Sequence, residues 1–107
     1  GDGTQGSDTS EAAALLDVFG SEMPPVTGFK WAVGHLIAAA GLLDLAVGLQ
    51  ACRRQVVPGI ATLDQLADAC AGLNVSTQTR APRSDVVLVL SRGFGGTNAA
   101  VLLRVIR

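Results

Sequence analysis

Tyrosine is absent from this 107-residue chain, and aromatics make up only 4%, in Phe19, Phe29, Trp31 and Phe94. That leaves little to build an aromatic ligand cage. The apolar residues, 49% of the chain, are instead mainly alanine, valine and leucine, which suits helices packed closely on sheet. Cysteine is scarce. Cys52 and Cys70 cannot form a disulfide framework, and no Cys-x-x-Cys or Cys/His cluster points to zinc, so no metal site is expected. This cysteine usage fits a reducing, cytoplasmic compartment. An excess of one charge is missing too: 8 basic against 9 acidic residues give a net charge of -1. Without a basic excess, nucleic acid is not the expected partner. The combination of low hydrophobicity and high net charge that marks disorder is also absent.

Lysine and histidine occur once each, as Lys30 and His35. Any chemistry that needs an amine and an imidazole from this chain must use that pair. The opening GDGTQGSDTS has no charged segment leading into an apolar run, so it does not read as a signal peptide. Gly1 is not an initiator methionine, and the chain reads as cut from something longer.

Residues 1–10 read as a polar loop. Thr9 or Ser10 would cap a helix from Glu11 to Phe19, stopped by Gly20 and by Pro24 and Pro25. Pro25–Phe29 reads as a short strand with Lys30 at its end. From His35 to about Gln55 the chain is rich in alanine and leucine and free of proline, which predicts a helix buried on most sides. Gly34, Gly41 and Gly48 recur every seven residues and would allow a neighbouring backbone close. Leu36–Cys52 is near the lower length limit for a membrane span. Asp44 near its centre would cost about 2.5–3.5 kcal/mol on insertion, so a central helix of an α/β domain is the better reading, with no membrane span. Leu63–Ala71 suggests one or two helical turns. VVLVL (86–90) and AAVLLRVI (99–106) read as strands joined by the glycine-rich turn SRGFGGTN (91–98). Neither strand alternates strictly, so both faces should be covered. The class is α/β.

Three features could carry chemistry. His35 at a helix start would be held neutral by the helix dipole and could donate an N–H to a developing oxyanion, with Lys30 beside it as a fixed charge. On spacing alone the plainer reading, a backbone-satisfied histidine and a surface lysine, is preferred. Asp44 is an acid in an apolar helix; it either reaches solvent or pairs, with Lys30 or a backbone donor as the partner. Nine residues from His35 is roughly 900° of helix, which would turn the two to opposite sides if both were helical. Gly93, Gly95 and Gly96 around Phe94 permit positive φ and backbone amides that could form an oxyanion hole, although a tight hairpin turn explains the same residues. Cys52, inside the apolar helix, reads as a small hydrophobe, and Cys70 has no base nearby in sequence, so neither is expected to be catalytic.

Taken together, the blocks resemble a known family. KWAVGHLIAAAG (30–41) resembles the K-S-x-x-G-H-x-x-A-A-A-G block of the β-ketoacyl synthases, the condensing enzymes of fatty acid and polyketide synthesis. SRGFGGTNAAVLL (91–103) resembles their N-S-F-G-F-G-G-T-N block. GDGTQGSDTSEAAAL (1–15) resembles the segment that follows their first catalytic histidine. The resemblance implies the C-terminal part of a thiolase-like, layered αβαβα fold, with 1–107 incomplete without the N-terminal half and inert in isolation. It implies a decarboxylating Claisen condensation of an acyl thioester with malonyl carrier protein. No cofactor would be bound permanently; the phosphopantetheine arm of acyl carrier protein would deliver substrate. His35 would be the second catalytic histidine, Lys30 the supporting lysine and Asp44 its acidic partner. Gly93, Phe94 and Gly95 would form the gate and oxyanion hole, and Thr4 would contact the pantetheine. The nucleophilic cysteine and first histidine would precede Gly1. The implied partners are acyl carrier protein, the rest of the synthase, and a second subunit in a homodimer or heterodimer. Asp2, Trp31 and Arg92 depart from the family pattern, standing where a threonine, a serine and a phenylalanine are usual. They keep open an alternative: a non-catalytic subunit of the chain-length-factor type.

Overall fold

The computed structural model describes residues 2–107; Gly1, the first residue of the 1–15 block, lies outside them. Helix α1 spans Gln5–Phe19. It begins six residues before the expected start, and Thr4, not Thr9 or Ser10, is its N-cap. The Thr4 hydroxyl accepts from the Ser7 N–H at 3.4 Å. The polar stretch read as loop is helical because its hydroxyls are satisfied within the helix. Ser10 Oγ donates to the carbonyl of Gly6 at 2.8 Å, and Asp8 lies in the first turn, where the dipole favours an acid. Gly20 ends the helix at φ +55°, its N–H donating to the Leu16 carbonyl.

Pro25–Phe29 is not a strand. Pro25 and the preceding Pro24 remove ladder donors, and the segment is held instead by single bonds from Val26 N–H to the Asn74 carbonyl (2.9 Å) and from Thr27 Oγ1 to the Pro58 carbonyl (2.6 Å). Lys30 therefore opens a single helical turn, α2 (Lys30–Val33), rather than closing a strand. The long helix also starts later than its composition suggests. A 3-10 turn at Ile37–Ala39 precedes α3, which spans Ala40–Arg53. His35 is outside it because Ile37 sits at φ +53° with its N–H turned back onto the imidazole. At the far end Gln55 takes the left-handed position usually given to glycine, at φ +56°. The Gln55 and Val56 N–H groups close onto Cys52 and Ala51 in a Schellman arrangement, and the Gln55 side chain ties to Asp85 at 2.9 Å.

Of the turns expected at Leu63–Ala71, only a 3-10 turn at Asp68–Cys70 forms. Strands β1 (Val86–Arg92) and β2 (Asn98–Arg104) pair antiparallel, with Val89 opposite Val101. They extend closer to the turn than expected. The turn is closed by Gly93 N–H to Thr97 O at 2.7 Å, and Gly95 and Gly96 adopt φ +75° and +81°, positions that favour glycine.

Helix α3 lies on β1 through two of its glycines. A Cβ on Gly41 would come within 3.0 Å of Ser91 Oγ, and one on Gly48 within 3.4 Å of Val87. Gly34 plays no such part; it caps α2 at φ +77° with open space around it.

The expectation that both strands would be covered does not hold. β2 is exposed along nearly its whole length, with Leu102 68% accessible, because α3 packs on β1 and leaves β2 uncovered. Leu42 on α3 is 71% accessible. Among the described residues the buried apolar set is Ala12, Leu15, Met23, Cys52, Cys70 and Val89, and no large side chain is fully buried. A two-stranded sheet with so small a core is marginal by itself. Residues 1–107 expressed alone should aggregate or associate, seen as non-monomeric light scattering; a monomer that unfolds cooperatively would contradict this.

Candidate functional site

The N-terminal end of α3, the start of α2, the first turns of α1 and the last residues of β1 meet around a polar cleft of about 70 Å³. Lys30, His35 and Asp44 all line it. Lys30 Nζ lies 3.8 Å from Asp44 Oδ2, with the side chains 29% and 21% exposed. Of the alternatives for Asp44, the structure thus shows the ion pair with Lys30. So accessible a pair contributes about 0.2–1 kcal/mol; its main effect is to fix where the charges sit.

His35 and Asp44 share the cleft, contrary to the opposite-sides expectation, since His35 lies before the helix. Ile37 N–H donates to His35 Nδ1 at 2.9 Å. An imidazole accepting at Nδ1 carries its neutral-state proton on Nε2, which leaves one N–H to donate. The orienting group is thus a backbone amide of the turn leading to α3, not the terminus of α3 itself.

Thr4 does not line the cleft but joins two residues that do, Asp2 and Ser7. Its hydroxyl donates to Asp2 Oδ1 at 2.7 Å, and its N–H donates to the same oxygen at 2.9 Å. These two bonds, the hydroxyl first, hold the Asp2 carboxyl below its ordinary value of 3.8. Gly93, Phe94 and Gly95 are outside the cleft, and Phe94 is 99% exposed at the tip of the turn. The residues leading into the turn, Ser91 and Arg92, do line the cleft.

Sequence reasoning left three contributors unassigned or misassigned. Glu11, read only as a helix-start acid, lines the cleft with Lys30 and Asp44. Ser91, the first residue of SRGFGGTN, lines the cleft from the end of β1. Arg92, noted as a departure, reaches α1: its Nη1 donates to Ser10 Oγ at 2.6 Å and to the Ser7 carbonyl at 3.2 Å. Nothing local signals a contact across more than eighty residues.

An apolar cavity of about 400 Å³ adjoins the cleft and shares Lys30 and Asp44 with it, its walls including Leu15, Phe19, Gly48 and Cys52. Cys52 and Cys70 are free and buried, and neither lines the polar cleft. Among the described residues, no group of three or more His, Cys, Asp or Glu could hold a metal ion, and no helix is long and apolar enough to cross a membrane.

The sequence that builds this cleft is matched by known proteins. Residues 1–64 match the family model for the β-ketoacyl synthase C-terminal domain. The chain is 33% identical over 104 residues to 3-oxoacyl-[acyl-carrier-protein] synthase 1 of Escherichia coli (strain K12), covering 97% of this chain and 26% of that protein. It is 38% identical over 102 residues to the tetracenomycin polyketide synthase ketoacyl synthase beta subunit of Streptomyces glaucescens, covering 95% and 25%. The chain belongs to the β-ketoacyl synthase family. It spans about a quarter of the length of these relatives.

The Asp2–Thr4 bonds give a pH dependence with a definite sign. A depressed carboxyl stabilises the fold above the unfolded aspartate value, near pH 4, and that contribution is lost as pH falls through the lower folded value. Thr4→Val should return the Asp2 carboxyl part of the way toward 3.8, read by NMR titration; an unchanged midpoint would show that the Thr4 hydroxyl is not the main cause.

Proposed function

We propose that the chain is the C-terminal segment of a 3-oxoacyl-[acyl-carrier-protein] synthase acting in fatty acid or polyketide synthesis. The observation that carries this reading is the meeting of the Lys30–Asp44 pair and a single imidazole donor in one cleft of a chain from this family. In this reading residues 1–107 are inert alone and form part of a thiolase-like layered αβαβα fold. The rest of the synthase supplies the nucleophilic cysteine and the first histidine. Acyl carrier protein presents substrates on its phosphopantetheine arm, a second synthase subunit completes a homodimer or heterodimer, and the protein works in the cytoplasm.

The reaction proceeds in two bond changes after acyl transfer to the cysteine. The malonyl carboxylate leaves as carbon dioxide, and its bonding electrons become the enolate. The enolate carbon then attacks the acyl thioester, a C–C bond forms and the cysteine thiolate departs. His35 Nε2–H donates to the enolate oxygen, where charge develops. Lys30, held by Asp44, adds a fixed positive field to the same cleft. Gly93 N–H already closes the turn, so the thioester oxyanion is assigned to the amide of Phe94. Thr4 contacts the pantetheine once Asp2 gives up its hydroxyl.

A second reading is a non-catalytic partner subunit of the chain-length-factor type. The engagement of Thr4 by Asp2 favours it, as does the likeness to a relative named as a beta subunit.

Decarboxylation of malonyl carrier protein by the full-length protein separates the two. The enzyme reading expects activity that falls at least about a hundredfold in His35→Ala. If instead activity appears only on mixing with another synthase subunit and is indifferent to His35→Ala, the partner reading holds.

A further inference from the structure

We propose that Arg92 is a positioning residue that latches the base of the glycine turn to α1 and so sets where the turn's amides sit relative to His35. The inference rests on the reading of that turn as an oxyanion site.

The two sides of the turn's first strand are held differently. Along β1, alternate side chains face opposite ways. Val87, Val89 and Ser91 belong to one set, and Val87, Val89 and Ser91 are the residues against the glycines of α3. Arg92 belongs to the other set and reaches α1 instead, where Nη1 donates to Ser10 Oγ at 2.6 Å and to the Ser7 carbonyl at 3.2 Å. The last two residues of β1 are therefore gripped from two helices. A guanidinium suits this because its donors are charged and planar, so such bonds are short and directional.

Immediately beyond the grip the chain is rich in glycine and exposed. Gly95 and Gly96 sit at positive φ, and Phe94 between Gly93 and Gly95 is 99% exposed. Thr97 closes the turn through its carbonyl to Gly93. The latch thus ends where the glycines begin, and its release would let the turn move as a unit about Gly93. Ser10 can serve because its hydroxyl is already fixed by donating to the Gly6 carbonyl, which aims its lone pairs outward.

The test uses the full-length protein bearing Arg92→Leu, Arg92→Lys, Ser10→Ala and the Arg92→Leu/Ser10→Ala double variant. Amide hydrogen exchange across 93–97 should quicken roughly tenfold in Arg92→Leu, less in Ser10→Ala, and no further in the double variant. Arg92→Lys should restore part of the protection. Condensation kcat should fall roughly tenfold or more in Arg92→Leu, with KM for the acyl substrate changed far less. Unchanged exchange at 93–97 in Arg92→Leu would overturn the latch. So would a Ser10→Ala effect that adds in full to Arg92→Leu. If the unaltered protein neither decarboxylates nor condenses, the functional reading falls, while hydrogen exchange still decides the latch.

Discussion

The close seat of α3 on β1 is the contact on which the rest depends. Two glycines, Gly41 and Gly48, present no side chain where Ser91, Val87 and Val89 approach. A Cβ at Gly41 would require the Ser91 side chain to give by a few tenths of an ångström, one at Gly48 would be in ordinary contact with Val87 and Val89, and bulkier side chains at either position would crowd β1. With the helix seated, its N-terminal end lies beside the end of β1. That places Asp44 and the His35 turn on one side of the cleft, and Ser91 and Arg92 on another. The site is thus built by backbone proximity first and by polar side chains second.

Within that frame the polar groups orient one another. Lys30 and Asp44 fix a charge pair across α2 and α3, Ile37 sets which nitrogen of His35 carries a proton, and Asp2 binds Thr4 at the cap of α1. None of these groups is deeply buried, and β2 presents bare apolar side chains. A site needs a drier and stiffer surround for its electrostatics to act at full strength. The neighbouring 400 Å³ apolar cavity and the uncovered sheet leave apolar surface open beside the cleft.

Much of this was readable from residue order alone, and the limits have physical causes. The strands were legible because VVLVL and AAVLL are runs of strand-forming residues flanking a glycine turn. The glycines at 41 and 48 were legible as points of close approach. The start of α1 was not, since Ser, Thr and Gln resemble a loop until Thr4 is seen to cap them. The position of His35 was misjudged for a related reason: alanine-rich composition predicts helix, but one hydrogen bond from Ile37 to the ring overrides propensity over three residues. Lys30 with Asp44 could be suspected, because a half-buried acid needs a partner. Arg92 with Ser10 could not, since only the tertiary fold brings them together. The roles proposed for Lys30, His35 and Asp44 come from the family resemblance, since spacing alone leaves them open.

The most direct test of the central packing is a cross-link between α3 and β1. A Cβ at position 41 would lie 3.3 Å from that of Ser91, close to the separation a disulfide requires. The double substitution Gly41→Cys and Ser91→Cys, placed in the full-length protein and treated with a mild oxidant, should give one intramolecular disulfide joining those positions in non-reducing peptide mapping. Recovery of both thiols in reduced form, from protein that remains folded, would contradict the seating of the helix and with it the assembly of the cleft.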